Sequence, residues 1–377
     1  MDRVRRITRQ GDCITIVSLG SATHASRPDS TETRMQSAHL STNKQNNMQK
    51  TTVQVGSNIA FIKYWGVRQA ALNLPTNNSI SMTLADAYTV TTVEWDAAGQ
   101  LAADQIELDG VQLAAGAAKR LVAHLDRVRA LADVDVCARV ASRNNFPAAS
   151  GIASSASGFA ALSAAGALAL GVDLSPVELS ALARLGSGSA CRSVLGGFVE
   201  WVQGCDHASS VAHQMFDREH WALFDVVAVI SSRAKHTSSL SGHSLAASSP
   251  LQEGRLAHVE GELHIVREAI AQRDLHKLGP VIERDALAMH GVMMTSTPSL
   301  IYWEPGTIEL IQAVRRWREQ EGIGVYFTID AGPNLHLICE ESDVAKVQER
   351  LQQMACVEKV IISRPGPGPQ LLAQHLF

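Results

Sequence analysis

Residues 146–158 (FPAASGIASSASG) join a glycine- and serine-rich turn to an alanine-rich segment that contains no proline. This composition predicts a helix over 153–170 that begins directly after the turn. Small residues let backbone N–H groups approach a ligand, and a helix N-terminus adds unpaired donors and a partial positive charge. The segment therefore predicts a phosphate-binding site. Its spacing is neither that of the P-loop nor that of the dinucleotide GxGxxG motif, and close helix packing is the alternative explanation of its small residues.

A second polar group lies at 186–193 (GSGSACRS), where Ser187 and Ser189 precede Arg192 on a flexible backbone. Two hydroxyl donors beside a guanidinium fork suit an anionic ligand. The alternative is the capped start of a helix with a surface arginine.

A third group is 327–334 (FTIDAGPN), in which Asp330 ends an apolar strand just before a Gly-Pro turn. Aspartate at such a position is most often a turn former. The alternative is a catalytic base that the scaffold holds rigidly.

Lys63 is the fourth candidate, because it ends an apolar run within 58–66 (NIAFIKYWG). Lysine is rarely buried unless it is paired. Lys63 therefore requires a carboxylate or phosphate partner, and Asp330 is the natural candidate.

The elements that must position these groups form an α+β pattern, with antiparallel sheets covered by helices rather than a βαβ repeat. Asp109-Gly110 between two short apolar runs predicts a tight hairpin, and residues 56–58 predict a turn. The predicted strands are 51–55, 79–84, 88–95, 106–108, 111–113, 134–142, 193–202, 224–230, 325–330 and 335–340. The predicted helices are 117–131, 153–170, 176–185, 256–273, 308–320 and 343–354.

The bulk properties predict an ordinary soluble protein of about two domains, since the chain has 377 residues, 46% hydrophobic and 19% charged. The net charge of −4 without a dominant basic stripe argues against nucleic-acid binding. The apolar stretch after residue 157 is too short to cross a membrane, which needs ~20 apolar residues. The six cysteines are scattered without a CxxC pair, which favours a reducing, cytoplasmic setting over a disulfide framework or zinc site.

The first fifty residues differ in composition from the rest, being rich in Ser, Thr, Asn, Gln and Arg. They predict a disordered tail. A start codon assigned too early is the alternative, because Met48 stands just before the first predicted strand.

Taken in order, the strings NIAFIKYWG, NNFPAASGIASSASG, GSGSACRS and DAGPN closely resemble the mevalonate diphosphate decarboxylase branch of the GHMP kinase superfamily. The resemblance covers about residues 53–338. It implies an N-terminal ATP-binding domain over 51–222 and a C-terminal domain over 223–377, with the active site in the cleft between them. It also implies a homodimer, ATP and Mg²⁺, and phosphorylation of the 3-hydroxyl of a phosphorylated mevalonate followed by loss of phosphate and CO₂.

By this resemblance Asp330 matches the catalytic aspartate, Lys63 matches the lysine that pairs with it, and Arg192 matches a residue that holds the substrate. The predicted substrate contacts are Tyr64, Arg68, Ser187, Gly188, Ser189, Arg192, Ser239 and His243. The predicted contacts with ATP are Asn144, Ala149, Gly151, Ala153, Ser154, Ser155, Ala156 and Ser157. The Mg²⁺ ligands are not assigned.

The chain departs from the family pattern at two positions that bear on the substrate. Members that use the diphosphate usually carry a lysine directly after Tyr-Trp-Gly, where this chain has Val67, and some carry an arginine where it has Leu240. Two apolar residues thus replace partners of the distal phosphate, which favours mevalonate 5-phosphate as substrate and isopentenyl phosphate as product. Arg68, or His243 when protonated, is the counterargument, and it keeps mevalonate 5-diphosphate as the alternative.

Two rival functions remain at this point. A kinase of the same superfamily that stops after phosphorylation would lack the Asp–Lys couple, which this chain has. A non-catalytic ligand sensor would not require the phosphate loop, the arginine and the aspartate together.

Overall fold

The computed structural model describes residues 7–10, 13–16, 48–146, 154–233 and 237–377. The strands are β1 (Ile7–Gln10), β2 (Cys13–Ile16), β3 (Thr51–Ile62), β4 (Val67–Gln69), β5 (Leu74–Pro75), β6 (Ser79–Trp95), β7 (Gln105–Leu108), β8 (Val111–Gln112), β9 (Ala138–Asn144), β10 (Phe198–Trp201), β11 (Ala212–Phe216), β12 (Leu223–Val229), β13 (Val325–Thr328), β14 (Leu335–Glu340), β15 (Lys359–Ser363) and β16 (Gln370–Leu372). The α-helices are α1 (Ala115–Ala132), α2 (Ser154–Ala169), α3 (Pro176–Gly186), α4 (Ala190–Ser193), α5 (Ser239–His243), α6 (Gln252–Gln272), α7 (Leu275–Thr295), α8 (Pro305–Glu321) and α9 (Glu341–Gln352). Short 3₁₀ turns lie at Ala70–Leu72 and Ala246–Ser248.

The larger sheet is built around β6, a strand of 17 residues. β3 pairs antiparallel along one edge of β6, while β10 and then β9 pair along the other. β16, near the end of the chain, returns to pair with β3. The predicted division at residue 222 stays a prediction, although the last residues of the chain join the first sheet.

Two predicted breaks in this sheet are wrong. The expected turn at 56–58 lies inside β3, where a register shift between Gly56 and Asn58 absorbs the irregularity without reversing the chain. A Cβ on Gly56 would lie 2.2 Å from the Leu84 carbonyl oxygen, so glycine is needed there for close backbone approach. The two strands predicted at 79–84 and 88–95 are likewise one continuous strand, β6.

The predicted hairpin is confirmed: Asp109 and Gly110 have φ values of 49° and 84° and connect β7 to β8. β7 pairs in parallel with β9, with α1 as the crossover between them. This pairing is an exception to the expected antiparallel pattern.

The smaller sheet has the order β13-β14-β12-β15 and is antiparallel throughout its described pairs. Helices α8 and α9 cover one face. On the other face, α6 and α7 pack in a core that also contains Phe61, Ile80 and Phe198 of the larger sheet. The two sheets therefore share one continuous core through α6 and α7.

Sequence reasoning missed α7, because Gly279-Pro280 looks like a helix stop. The helix begins after Asp274, whose carboxylate accepts from the Lys277 N–H at 2.9 Å, and it continues through Pro280. Gly279 is needed where α7 crosses β13, because a Cβ there would lie 2.1 Å from the Tyr326 ring. Tertiary packing thus overrides the local signal.

Several boundaries differ from the predictions near the functional residues. β13 ends at Thr328, which leaves Asp330 in the following turn rather than in the strand. Residues 190–193 form the helical turn α4, so β10 starts only at Phe198. β9 begins at Ala138, four residues later than predicted.

Within residues 1–50, β1 and β2 pair antiparallel. The assignment of these residues as a tail stays a prediction. Cys137, Cys191, Cys339 and Cys356 are free thiols. Within the described ranges no helix has the length and apolar character to cross a membrane.

Candidate active site

A cavity of about 340 Å³ lies where the end of β3, the start of α2, α4, α5 and the turn after β13 meet. Its lining includes eleven of the predicted residues: Lys63, Tyr64, Ser154, Ser155, Ser187, Gly188, Ser189, Arg192, Ser239, His243 and Asp330. Residues far apart in sequence thus converge on one space, although their chemical roles stay predictions.

The predicted pairing of Lys63 with Asp330 is present: the Lys63 ammonium donates to Asp330 Oδ1 at 2.6 Å. The Lys63 side chain is 1% exposed, while that of Asp330 keeps 24% of its surface. The cation is therefore buried behind a carboxylate that still faces the cavity. Of the two groups, Asp330 therefore offers the larger surface to a ligand.

Burial alone would raise the pKa of Asp330, but Lys63, then His336, and more weakly Arg192, hold that pKa below its ordinary value. The carboxyl group is therefore ionised at neutral pH. An ionised carboxylate aimed into a cavity can accept a proton or a hydrogen bond from a ligand hydroxyl.

Arg192 is held from three sides. It donates to Ser81 Oγ at 3.0 Å, to Ser79 Oγ at 2.6 Å and to Asn58 Oδ1 at 3.0 Å. A guanidinium has five N–H groups, so these three bonds fix its plane and leave one hydrogen on each terminal nitrogen. Such a preset fork suits a carboxylate or phosphate.

Tyr64 and His243 form an aromatic wall of the cavity, with ring centroids 4.1 Å apart. Trp65 lies against the same imidazole at 4.6 Å, and Trp201 packs edge-on against Tyr64 at 4.7 Å. A Cβ on Gly188 would lie 2.6 Å from the Tyr64 ring, so the serine-lined turn can approach Tyr64 only with glycine.

His243 is neutral in this wall. Burial, then the charges of Arg192 and Arg255, lowers its pKa to about 3. Its Nδ1 accepts from the Gly66 N–H at 3.1 Å, which assigns the remaining proton to Nε2. His243 can thus donate one neutral hydrogen bond, but it supplies no positive charge.

The described start of the predicted phosphate site is α2, where Ser155 Oγ lies 3.2 Å from Ser187 Oγ. Ser154 and Ser155 both line the cavity. Ala149, Gly151 and Ala153 lie outside the described residues. The two serines bring the N-terminus of α2 to the same cavity as Asp330 and Arg192.

Four predicted contacts do not line the cavity. Ser157 is buried and bonds Thr89 Oγ1 at 2.6 Å, and Ala156 is fully buried beside it. Asn144 accepts from the same Thr89 hydroxyl at 2.7 Å. Arg68 is exposed and donates to the carbonyls of Gln203 and Gly204. The resemblance placed these residues in the prediction, and in the structure their side chains face away from the cavity.

Leu240, which the sequence analysis placed near the distal phosphate, also lines the cavity. Sequence reasoning missed several other lining residues: Asn58, Ala60, Trp65, Asn73, Arg120, Ser238, Met289 and Ala331. Arg120 is the most informative, since it donates to the Gly186 carbonyl at 2.7 Å and presents a cation beside the start of α2. Nothing in the sequence signalled it, because its helix carries several other charged residues, among them Lys119, Asp126 and Arg127. Among the described residues no cluster of His, Cys, Asp and Glu could hold a metal ion.

Known proteins are similar to this chain along most of its length after residue 50. The family model for the diphosphomevalonate decarboxylase-like N-terminal domain matches residues 55–212, and that for the mevalonate 5-diphosphate decarboxylase C-terminal domain matches residues 225–365. A diphosphomevalonate decarboxylase of Candida albicans is 35% identical, over 87% of this chain and 99% of its own. A phosphomevalonate decarboxylase of Haloferax volcanii is 32% identical, over 85% of this chain and 98% of its own.

The fold is similar to that of solved structures as well. MDDEF in complex with MVAPP, AMPPCP and magnesium superposes with a TM-score of 0.80 at 38% identity, covering 86% of this chain and 98% of that one.

Proposed function

The chain belongs to the mevalonate diphosphate decarboxylase family, and we propose that it catalyses the ATP-dependent decarboxylation of a phosphorylated mevalonate. The observation that carries this proposal is the 2.6 Å Lys63–Asp330 pair, which lies in the same cavity as Arg192 and the start of α2. The general base Asp330, the guanidinium of Arg192 that would bind a carboxylate, and the phosphate site at the start of α2 then face the same cavity.

In the proposed reaction Asp330 accepts the proton of the 3-hydroxyl while that oxygen attacks the γ-phosphorus of ATP, and ADP leaves. The new phosphate group then departs from C3 with its bonding electrons. The electrons of the C–C bond to the carboxylate form the alkene, and CO₂ is released. Each turnover converts one ATP to ADP and phosphate, and needs no covalent bond to the enzyme.

The residues have separate tasks in this scheme. Lys63 keeps Asp330 ionised, Arg192 holds the substrate carboxylate in its preset fork, and Ser154 and Ser155 with the α2 N-terminus receive the nucleotide phosphates. Hydroxyl oxygens such as these, with nucleotide phosphates and water, are ligands that Mg²⁺ accepts. When bound, Mg²⁺ supplies charge neutralisation on the phosphates. Homodimer formation and a cytoplasmic location are part of the proposal, by analogy with the family.

We favour mevalonate 5-phosphate over the diphosphate because the two positions that could supply a cation to a distal phosphate, 67 and 240, carry apolar side chains. Leu240 lines the main cavity. Val67 lines a second cavity of about 460 Å³ on the other side of His243, where Glu253 is the charged residue. Missing a partner for a desolvated charge costs about 2–5 kcal/mol.

The two residues that could replace the missing cations do not favour that role. The Arg68 guanidinium is engaged by backbone carbonyls on the surface. His243, with a pKa near 3, is uncharged at neutral pH. A monophosphate needs fewer positive partners, and the Tyr64 hydroxyl with the neutral donor of His243 suits it.

Steady-state kinetics with the two substrates test this choice. We expect kcat/KM for mevalonate 5-phosphate to exceed that for the diphosphate by at least tenfold. The double variant V67K/L240R should narrow or reverse the ratio, whereas V111K, which adds a charge at an exposed distant strand, should not. A wild-type preference for the diphosphate rejects the monophosphate proposal and leaves decarboxylation standing.

A further inference from the structure

Behind the cavity, Arg255 of α6 and Asp285 of α7 form a buried ion pair that does not line it. The Arg255 Nη2 to Asp285 Oδ1 distance is 2.9 Å, and the two side chains are 2% and 0% exposed. Neither residue belongs to a motif identified in the sequence. The pair therefore needs a separate explanation.

Both partners bind the backbone of Lys63, the first residue after β3. Asp285 Oδ2 accepts from the Lys63 N–H at 2.6 Å. Arg255 Nη2 donates to the Lys63 carbonyl at 2.9 Å, and Asn77 donates to the same oxygen at 3.0 Å. The backbone of Lys63 is thus held on both sides at the point where it leaves the sheet.

Stability alone does not account for this pair. Burying two charges is costly, and apolar replacements of similar volume are often as stable or more so. Arg255 Nε and Nη1 are buried and find no hydrogen-bond partner in the described part of the chain. Arg255 thus leaves two nitrogen atoms without a hydrogen bond to a described residue, while the pair fixes the backbone of Lys63.

The same helix also holds the partner of Lys63. His290, five residues after Asp285 on α7, lies with Nε2 3.1 Å from the Asp330 carbonyl, and a carbonyl can only accept. Five residues of α-helix span about 7.5 Å. One rigid element therefore fixes the backbone of Lys63 at one point and that of Asp330 at another.

We propose that α7 acts as a spacer, in which Asp285, supported by Arg255, and His290 are positioning residues that set the distance between the Lys63 ammonium and the Asp330 carboxylate. None of the three contacts the cavity, and each acts through a backbone group of the Lys63–Asp330 pair. The expected changes in kcat and KM rest on the proposed function. The expected change in the Lys63–Asp330 distance does not.

The first test removes the ion pair without leaving a lone buried charge, in the variant R255M/D285L. We expect this variant to fold, kcat to fall on the order of 10²-fold as for other misplaced catalytic groups, and KM for both substrates to change less than threefold. The matched control is D104L/R129M, which removes a buried Asp–Arg pair remote from the cavity. The control should lose stability but keep kcat.

The second test separates a hydrogen bond from mere packing at His290. H290Q retains a donor at the position of Nε2 and should keep kcat within about threefold, while H290L should lower it as R255M/D285L does. Equal loss in both variants would indicate packing and overturn the role of His290.

A third measurement does not depend on turnover: titration of the Asp330 carboxyl in the ligand-free protein by ¹³C NMR, assigned with D330N. The groups that face this carboxyl are Lys63, Arg192, His290 and His336. If loss of the ion pair lets the Lys63 ammonium move away from the Asp330 carboxylate, the pKa of Asp330 rises. We expect this rise in R255M/D285L but not in D104L/R129M.

The outcomes are distinguishable. An inactive wild type whose Asp330 titration still shifts in R255M/D285L rejects the proposed function and supports the spacer. An active wild type with unchanged kcat and unchanged titration in R255M/D285L overturns the spacer and leaves the function intact.

Discussion

Asp330 carries a negative charge where burial disfavours it, and the Lys63 ammonium 2.6 Å away accounts for that charge. A carboxylate in this state is ready to take a proton at neutral pH. The charge of Lys63 is in turn acceptable in the core only because Asp330 balances it.

Asp330→Asn should therefore abolish turnover while ATP binding stays nearly intact. General base catalysis contributes about 10²–10⁴-fold, so we expect less than a few per cent of wild-type kcat. Because the substitution leaves Lys63 buried without an anion, K63M/D330N is the stability control and should be equally inactive. Activity above a few per cent in either folded variant contradicts the role of Asp330 as base.

Arg192→Lys tests the preset fork. Lysine keeps the charge but cannot bond Ser79, Ser81 and Asn58 in one plane while presenting two parallel donors. We expect kcat/KM for the phosphorylated mevalonate to fall at least 30-fold, measured by ADP release. Near-normal kcat and KM would mean that Arg192 does not bind the substrate.

The sequence predicted the pairing of Lys63 with Asp330 because a lysine in an apolar run needs a partner. It could not identify Arg120, whose role depends on α1 reaching the Gly186 carbonyl. It gave no sign that the Arg68 side chain would turn to the carbonyls of Gln203 and Gly204, because adjacency in sequence does not determine the direction of a side chain.

Among the elements near the site, α5 and α7 were the hardest to predict. α5 has five residues, too few for a periodic signal, and α7 contains Gly279-Pro280. Longer periodic helices such as α1 and α8 were predicted within about three residues at each end. Local pattern identifies elements whose own periodicity is strong, whereas packing against neighbours decides the others.

Gly242 shows how α5 is positioned. A Cβ there would lie 2.5 Å from the Trp65 ring, so Gly242→Ala should push Ser239 and His243 away from the cavity. We expect KM for the phosphorylated mevalonate to rise about tenfold and KM for ATP to change less than twofold. Gly254→Ala on α6, where no atom lies within 4 Å of the added Cβ, is the matched control and should leave both KM values unchanged. If the two variants behave alike, α5 does not form the substrate wall.

At the scale of the molecule, the two sheets share one core through α6 and α7, and the cavity lies at their junction. The composition predicted enough apolar residues for such a core. It could not predict that β16 would return to β3, because pairing between the two ends of a chain leaves no local pattern.

The same core buries neutral histidines, which makes stability depend on pH. Burial, as the main cause, lowers the pKa of His124, His243 and His290 from 6.5 to about 3. Below pH 6.5 these histidines become protonated in the unfolded chain but stay neutral in the folded protein. Their contribution to the free energy of unfolding is therefore fully present above pH 6.5 and is lost as the pH falls toward 3. For each of these histidines, the free energy of unfolding should be about 2 kcal/mol lower at pH 5 than at pH 7.

Urea unfolding at pH 7, 6 and 5 measures this loss. Replacing one buried histidine, in H124Q, should flatten the dependence by about a third, while H213Q at an exposed position should not change it. Equal free energies of unfolding at pH 7 and pH 5 in the wild type would show that these histidines are not buried as neutral groups.

The most direct measurement of the proposed function follows the carboxyl carbon itself. Mevalonate 5-phosphate labelled with ¹³C at the carboxylate is incubated with the protein, ATP and Mg²⁺, and labelled CO₂ and bicarbonate are quantified by NMR against ADP. We predict one labelled CO₂ for each ADP and an equal amount of the alkene product. ADP without labelled CO₂, or neither product with this substrate or its diphosphate, would contradict the account.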